Sequence, residues 1–125
     1  MRLVAGLKTA NLLDSTLIVL FSDFGRTPIV NSNNGRDHWP VGGSVVIGGG
    51  IDGGRAVGGT TDDSLAAADL VDPSTGLVTT DSSVGTQLNP THLGGMVVAL
   101  TLGTSYLQYR PYLTALPAMT RLKGS

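Results

Sequence analysis

Cysteine is absent from the 125 residues, which excludes thiol catalysis and a disulfide framework and leaves the redox compartment open. Charge is scarce, with 14% Asp, Glu, Lys and Arg and a formal net charge of -1. The scattered Lys and Arg form no basic stripe, so neither nucleic acid nor an anionic membrane surface is expected as a partner. The longest apolar run, around Leu17 to Phe21, is far too short to cross a bilayer. The N-terminus has no charged region followed by a signal-peptide core, so the chain is expected to carry no export signal of its own. Internal repeats and low-complexity linkers are missing too. Two catalytic signatures are likewise absent, the Gly-x-Ser-x-Gly of a nucleophile elbow and the Gly-Lys-Ser/Thr ending of a phosphate loop.

Glycine, by contrast, is abundant at 18 residues and concentrated in residues 41–60. Aliphatic residues remain plentiful beside it, which indicates turns and close packing rather than disorder. The length suits one domain able to hold a core without metal or disulfides.

Leu3, Val4, Leu7, Ala10 and Leu13 recur at helical spacing until Asp14 and Ser15 end the pattern. Residues 16–21 then form a continuous apolar, branched run, the signature of a strand buried on both faces of a parallel sheet. Helix followed by strand predicts an α/β fold. From Gly25 to Arg36 the chain is polar and broken by Pro28, so an ordered loop is expected to return to a second strand at residues 44–47. The glycine run at 48–50 predicts a tight turn leading into a short hairpin about Asp52 and Gly53. Residues 60–86 are expected to be irregular, with a reversal at residues 72–76. Asp62 and Asp63 read as a turn or a helix cap. Asn89 as N-cap, Pro90 at the first helical position and Leu93, Met96, Val97 and Leu100 on one face predict a helix ending at Gly103. His92 is expected at the surface, and residues 105–125 as a segment laid along a surface.

Chemistry-bearing residues cluster in one stretch. Asp23, Arg26, Arg36, Asp37 and His38 all follow the C-terminal end of one predicted strand, where open α/β sheets place their ligands. Asp23 is suited either to holding a hard or borderline divalent cation or to closing a turn through backbone amides. His38 supplies either an imidazole ligand, with Asp37 beside it as ligand or as the acceptor fixing its tautomer, or a packed loop residue. Arg26 and Arg36 either grip an anionic oxyacid bidentately or pin the loop to Asp23 and Asp37. A complete zinc site needs three or four protein ligands, more than this pair supplies.

With Ser-Asp-Phe-Gly-Arg-Thr-Pro at 22–28, Gly-Arg-Asp-His-Trp-Pro at 35–40 and Gly-Gly-Gly-Ile at 48–51, the chain resembles the C-terminal part of an uncharacterised, sulfatase-like bacterial family in the alkaline phosphatase superfamily. The similarity continues through residues 72–76 and 88–93. It implies the C-terminal portion of an alkaline phosphatase-like α/β/α sandwich with a Gly-rich irregular β region, so that residues 1–125 form a single partial domain. It implies Asp23 and His38 as ligands of a divalent metal ion, Zn, Mn or Ca, with Arg26, Arg36 and Asp37 as catalytic support. Phe24 stands where related phosphatases commonly have a second ligand, His or Asn. The early metal ligands and the nucleophile precede the part of the family represented here, so the isolated chain is expected to be inactive. The substrate implied for a full-length parent is an anionic sulfate or phosphate ester, and the implied location is periplasmic or secreted. Strand edges stripped of their neighbours favour a homo-oligomer. The alternative is a non-catalytic relative in which the same loop binds a cell-surface or polysaccharide partner.

Overall fold

A computed structural model describes residues 2–63 and 67–122. The chain begins with helix α1, Arg2–Thr9, and a 3-10 turn at Leu13–Ser15. Between them Asn11 takes a left-handed φ of 56°, a conformation asparagine tolerates better than most residues. Strand β1, Leu17–Phe21, then leads to β2, Gly25–Arg26. The chain turns over and returns as β3, His38–Trp39, and β4, Ser44–Gly48.

These four strands form one long, interrupted hairpin. β1 pairs antiparallel with β4, from Leu17 opposite Gly48 to Phe21 opposite Ser44, and β2 pairs with β3 further out, Gly25 opposite Trp39 and Arg26 opposite His38. The registers differ by one residue, because residues 22–24 on the outgoing side face residues 40–43 on the return. The expected strands are therefore present, but their pairing is antiparallel, in a two-stranded sheet. The physical reason lies between them. A parallel partner needs a crossover of a dozen or more residues, usually a helix, whereas residues 27–37 contain Pro28 and a run of turn formers. The burial expected for β1 is not found either: Leu20 is 54% and Phe21 69% exposed.

Beyond β4, Gly48, Gly49 and Gly50 all have positive φ. Gly48 has no room for a side chain, since a Cβ would run into the Thr16 carbonyl oxygen. No hairpin forms about Asp52 and Gly53. Ile51 instead bridges to Leu122, Asp52 N–H donates to Arg121 O at 2.9 Å, and the Arg55 guanidinium donates to Ala118 O, tying this segment to the far end of the chain. The described residues of 60–86 are irregular apart from β5, Leu70–Val71, which pairs antiparallel with β6, Thr86–Gln87. The expected reversal at 72–76 is present: Gly76 N–H donates to Asp72 O at 2.8 Å and Gly76 has φ 79°. Asp63 Oδ1 accepts from Thr61 Oγ1, but the alanine-rich stretch after it, residues 64–66, lies outside the described residues.

Helix α2, Pro90–Leu102, starts and stops where its caps require, at Asn89 and Gly103. Asn89 Oδ1 accepts from Thr91 N–H at 2.9 Å, while His92 Nδ1 accepts from Asn89 N–H at 3.1 Å, so helix and cap satisfy each other's orphan donors. His92 is thus not a surface residue; it is buried at 7% exposure. The C-terminal segment also does more than lie along a surface. It forms 3-10 helices at Thr104–Tyr109 and Pro117–Met119 and contributes Leu116 and Ala118 to the core, beside Met96 of α2 and Val71 of β5. Gly95 lets this segment approach α2, because a Cβ there would meet the Thr114 carbonyl. Among the described residues none before Val71 is buried, so the core belongs to the second half of the chain and the hairpin stands outside it. Helix and strand are mixed, in an α/β chain with three small antiparallel sheets among the described residues, where the resemblance implies an α/β/α sandwich.

Candidate functional site

All five site residues read from the sequence lie on the outer part of the long hairpin, and all are exposed. The outer tier depends on Gly25, where an added Cβ would collide with the Val41 carbonyl. With Gly25 and Trp39 paired, Arg26 falls opposite His38, and the Phe24 and His38 rings stack with centroids 3.6 Å apart and planes 20° from parallel. The Arg26 guanidinium carbon lies 5.0 Å from the centre of the same phenyl ring, within cation-π range. Phe24 is here a packing surface for both the imidazole and the guanidinium.

The arginines are tied differently from either alternative read in the sequence, whereas Asp23 makes the backbone-amide bond of its turn-forming alternative. Arg26 Nη1 donates to Arg36 O at 3.0 Å, and Arg36 Nη1 donates to Thr27 O at 2.8 Å and to Pro28 O. The arginines thus pin the loop through backbone carbonyls, leaving the carboxylates to other partners. Asp23 Oδ1 accepts from the next residue's N–H, that of Phe24, at 3.0 Å. Asp37 Oδ1 accepts from Asn31 Nδ2 at 2.8 Å, so the carboxylate beside His38 is held by an amide on the far side of the loop.

Asn31 was not singled out in the sequence, yet it organises the turn. Its Oδ1 accepts from Asn33 N–H at 3.0 Å and Gly35 N–H at 2.9 Å, its own N–H donates to Gly35 O at 2.8 Å, and Asn34 takes a left-handed φ of 58°. The signal was the Asn-Ser-Asn-Asn-Gly run itself, since asparagine side chains bond the backbone a few residues on. Thr27 closes the base: its N–H donates to Asp37 O and its Oγ1 accepts from Asp37 N–H at 3.1 Å. A pocket of about 160 Å3 opens beside this turn, lined by Thr27, Ile29, Val30, Asn31, Asp37 and Trp39. The Trp39 indole N–H is buried without a hydrogen-bond partner among the described residues.

As a metal centre the loop offers a carboxylate and an imidazole, a donor pair suited to a borderline divalent cation. Asp23 keeps acceptor capacity beyond its one bond, and neither His38 ring nitrogen is engaged by a described residue. No group of three or more His, Asp or Glu side chains converges among the described residues. One carboxylate and one imidazole fall short of a complete coordination sphere.

A family model for proteins of unknown function, DUF1501, matches residues 1–94. The chain belongs to this family. The DUF1501 match takes in α1, the whole hairpin with its loop, the reversal at 72–76 and the capped start of α2. It therefore includes every site residue named above. Its description assigns no reaction, and a link to sulfatases or to the alkaline phosphatase superfamily rests on the motif resemblance alone. No curated protein matches the chain, and no solved structure matches it.

Proposed function

We propose that this DUF1501 chain carries one part of a metal-dependent hydrolase centre for sulfate or phosphate esters, and that the isolated chain is inactive. Asp23 and His38 are the ligand pair of this reading, and the remaining ligands and the nucleophile come from polypeptide outside these residues. The observation that carries it is the pairing of the outer tier: Arg26 opposite His38, with the imidazole stacked on Phe24, places the histidine strand beside the strand that follows Asp23. A ring held by stacking loses little rotational freedom on binding, which favours a ligand role. When bound, the metal supplies charge to orient the ester and stabilise its transition state. The chain's own residues keep the ligands in place: Arg26 and Arg36 hold the loop backbone, and Asn31 holds Asp37. The arginine nitrogens not spent on carbonyls remain donors for an anionic ester.

A second reading has an observation of its own. The pocket combines Asp37, the Trp39 indole and the apolar Ile29 and Val30, and Phe24 replaces a ligand expected in a complete phosphatase centre. Both favour a non-catalytic loop that binds a cell-surface or polysaccharide partner. Calorimetry with Zn²⁺, Mn²⁺ and Ca²⁺ separates the two. Saturable binding that is lost in both Asp23→Ala and His38→Ala supports the hydrolase reading. Absence of binding, or binding unchanged in both variants, removes it and leaves the binding loop.

A further inference from the structure

His92 is the one buried ionisable side chain among the described residues, and the proposed metal site makes no use of it. It stands at the third position of α2, where a capping box ordinarily has Glu or Gln reaching back to the N-cap amide. Here the imidazole takes that part, Nδ1 accepting from Asn89 N–H at 3.1 Å. The exchange of chemistry matters. Glutamine never titrates and glutamate does so far below neutrality, whereas histidine changes charge between about pH 5 and 8. A ring nitrogen that accepts a hydrogen bond cannot also carry a proton. Imidazolium is a donor at both nitrogens, so protonation sets N–H against N–H and the bond to Asn89 is lost.

The position of His92 gives this local event reach. Asn89 lies two residues beyond β6, so the bond closes the step from β6 into α2. Thr91, beside His92, accepts from Thr114 N–H at 3.4 Å, and Gly94 and Gly95 leave room for Leu113 and Thr114. The C-terminal segment is thus laid over the same turns before it enters the core at Leu116 and Ala118.

No carboxylate stands ready to hold a charged ring in place. α2 has no acidic residue in its first turn and no ionisable residue besides His92, and residues 113–120, packed against it, have none. The ionisable groups of the neighbouring stretches are Tyr106, Tyr109, Arg110 and Tyr112, all exposed, with Asp69 and Asp72 on either side of β5 and Arg55 bonded to the Asp52 and Ala118 carbonyls. Among the described residues the His92 side chain bonds to none of these, only to Asn89.

We propose that His92 is a pH-sensitive latch on the entry to α2. Neutral, it holds the Asn89 amide and keeps the C-terminal segment packed on the first turns; protonated, it releases that amide and turns out to water, and the segment above it loosens. The closed state has no place for the proton, and the opened ring takes one below about pH 6.5. The latch therefore holds above that pH and is lost as pH falls through it. It is independent of the metal reading, since the site residues lie on the hairpin in the other half of the chain.

Amide hydrogen exchange of the unaltered chain, scaled to the intrinsic rate at each pH, reads the latch at Asn89 and Thr114. From about pH 7.5 to 5.5 the open population at both amides is expected to rise about tenfold, the factor by which protonation of a free imidazole multiplies the open state over that span. His92→Gln keeps an acceptor for the Asn89 amide and cannot take a proton, so its protection is expected to stay constant. Flat protection at either amide of the unaltered chain overturns the proposal, as does an equal loss in His92→Gln. Should the variant fail to fold, the NMR titration of the two imidazoles in the unaltered chain decides. Loss of protection that tracks the His92 ring nitrogens supports the latch, and loss that tracks His38 or neither ring overturns it.

Discussion

Glycine shows at single positions how local preference and tertiary contact compete. Gly6 lies within α1 with nothing near its missing Cβ, so Gly6→Ala is expected to stabilise the helix by roughly 0.5–1 kcal/mol. Gly95 lies within α2, where the same propensity gain applies, but its Cβ would meet the Thr114 carbonyl. Backbone cannot swing aside as a side chain can, so overpacking of about 1–3 kcal/mol outweighs the gain. Urea unfolding of the two variants should move the midpoint in opposite directions. Gly25 belongs to the same class, with functional consequences. Gly25→Ala is expected to break the Gly25–Trp39 pair and separate Phe24 from His38, read as loss of the ring-current shift on the His38 protons. An unchanged shift would show that the stacked rings do not depend on the Gly25 approach.

Elements differ in how far they could be read from sequence, and the difference follows from how local their causes are. Helix α2 was legible at both ends because Asn89, Pro90 and Gly103 act on their immediate neighbours. Asn89→Ala is expected to cost about 1 kcal/mol, measured by chemical denaturation, because the Thr91 amide loses its acceptor. The burial of His92 was not legible, since it depends on the distant segment that packs beneath α2. The strands β1 and β4 were legible as strands, but not their direction of pairing, which is set by the loop between them. Nor was the attachment of Ile51 to Leu122, a contact across most of the chain that leaves no periodic trace.

The reversals around β5 and β6 make a pH prediction. Asp72 accepts from Ser74 N–H and Oγ, and Asp81 accepts from Ser83 N–H and Oγ. These bonds, the Ser74 and Ser83 hydroxyls foremost, lower both carboxyls below their ordinary value of 3.8. Groups lowered on folding contribute stability above that value and lose it as pH falls through the lowered one. The Ser74 and Ser83 amides should therefore exchange faster with solvent, relative to the intrinsic rate, as pH drops below about 3.8. Asp72→Asn should flatten the response at Ser74 alone.

At the scale of the whole molecule the chain divides in purpose. The second half supplies the core, through Val71, Met96, Leu116 and Ala118, and the first half projects a hairpin whose apolar strands sit at its base and whose polar residues sit at its tip. The five candidate residues stood out in the sequence because they crowd between positions 23 and 38, and the structure gathers them on the outer part of one hairpin. Their bonding was not legible, because Arg26 and Arg36 use backbone carbonyls that no side-chain pattern reveals. The two histidines of the chain occupy these two halves, His38 exposed at the loop and His92 buried in the cap of α2. That division provides an internal control for the central claim, that the hairpin tip contributes metal ligands. The most direct measurement is the NMR spectrum of both imidazole rings during titration with Zn²⁺. Saturable shifts of the His38 ring nitrogens, with His92 unmoved and the response abolished in Asp23→Ala, are the predicted result. A His38 ring that does not respond, or that responds equally without Asp23, would contradict the claim.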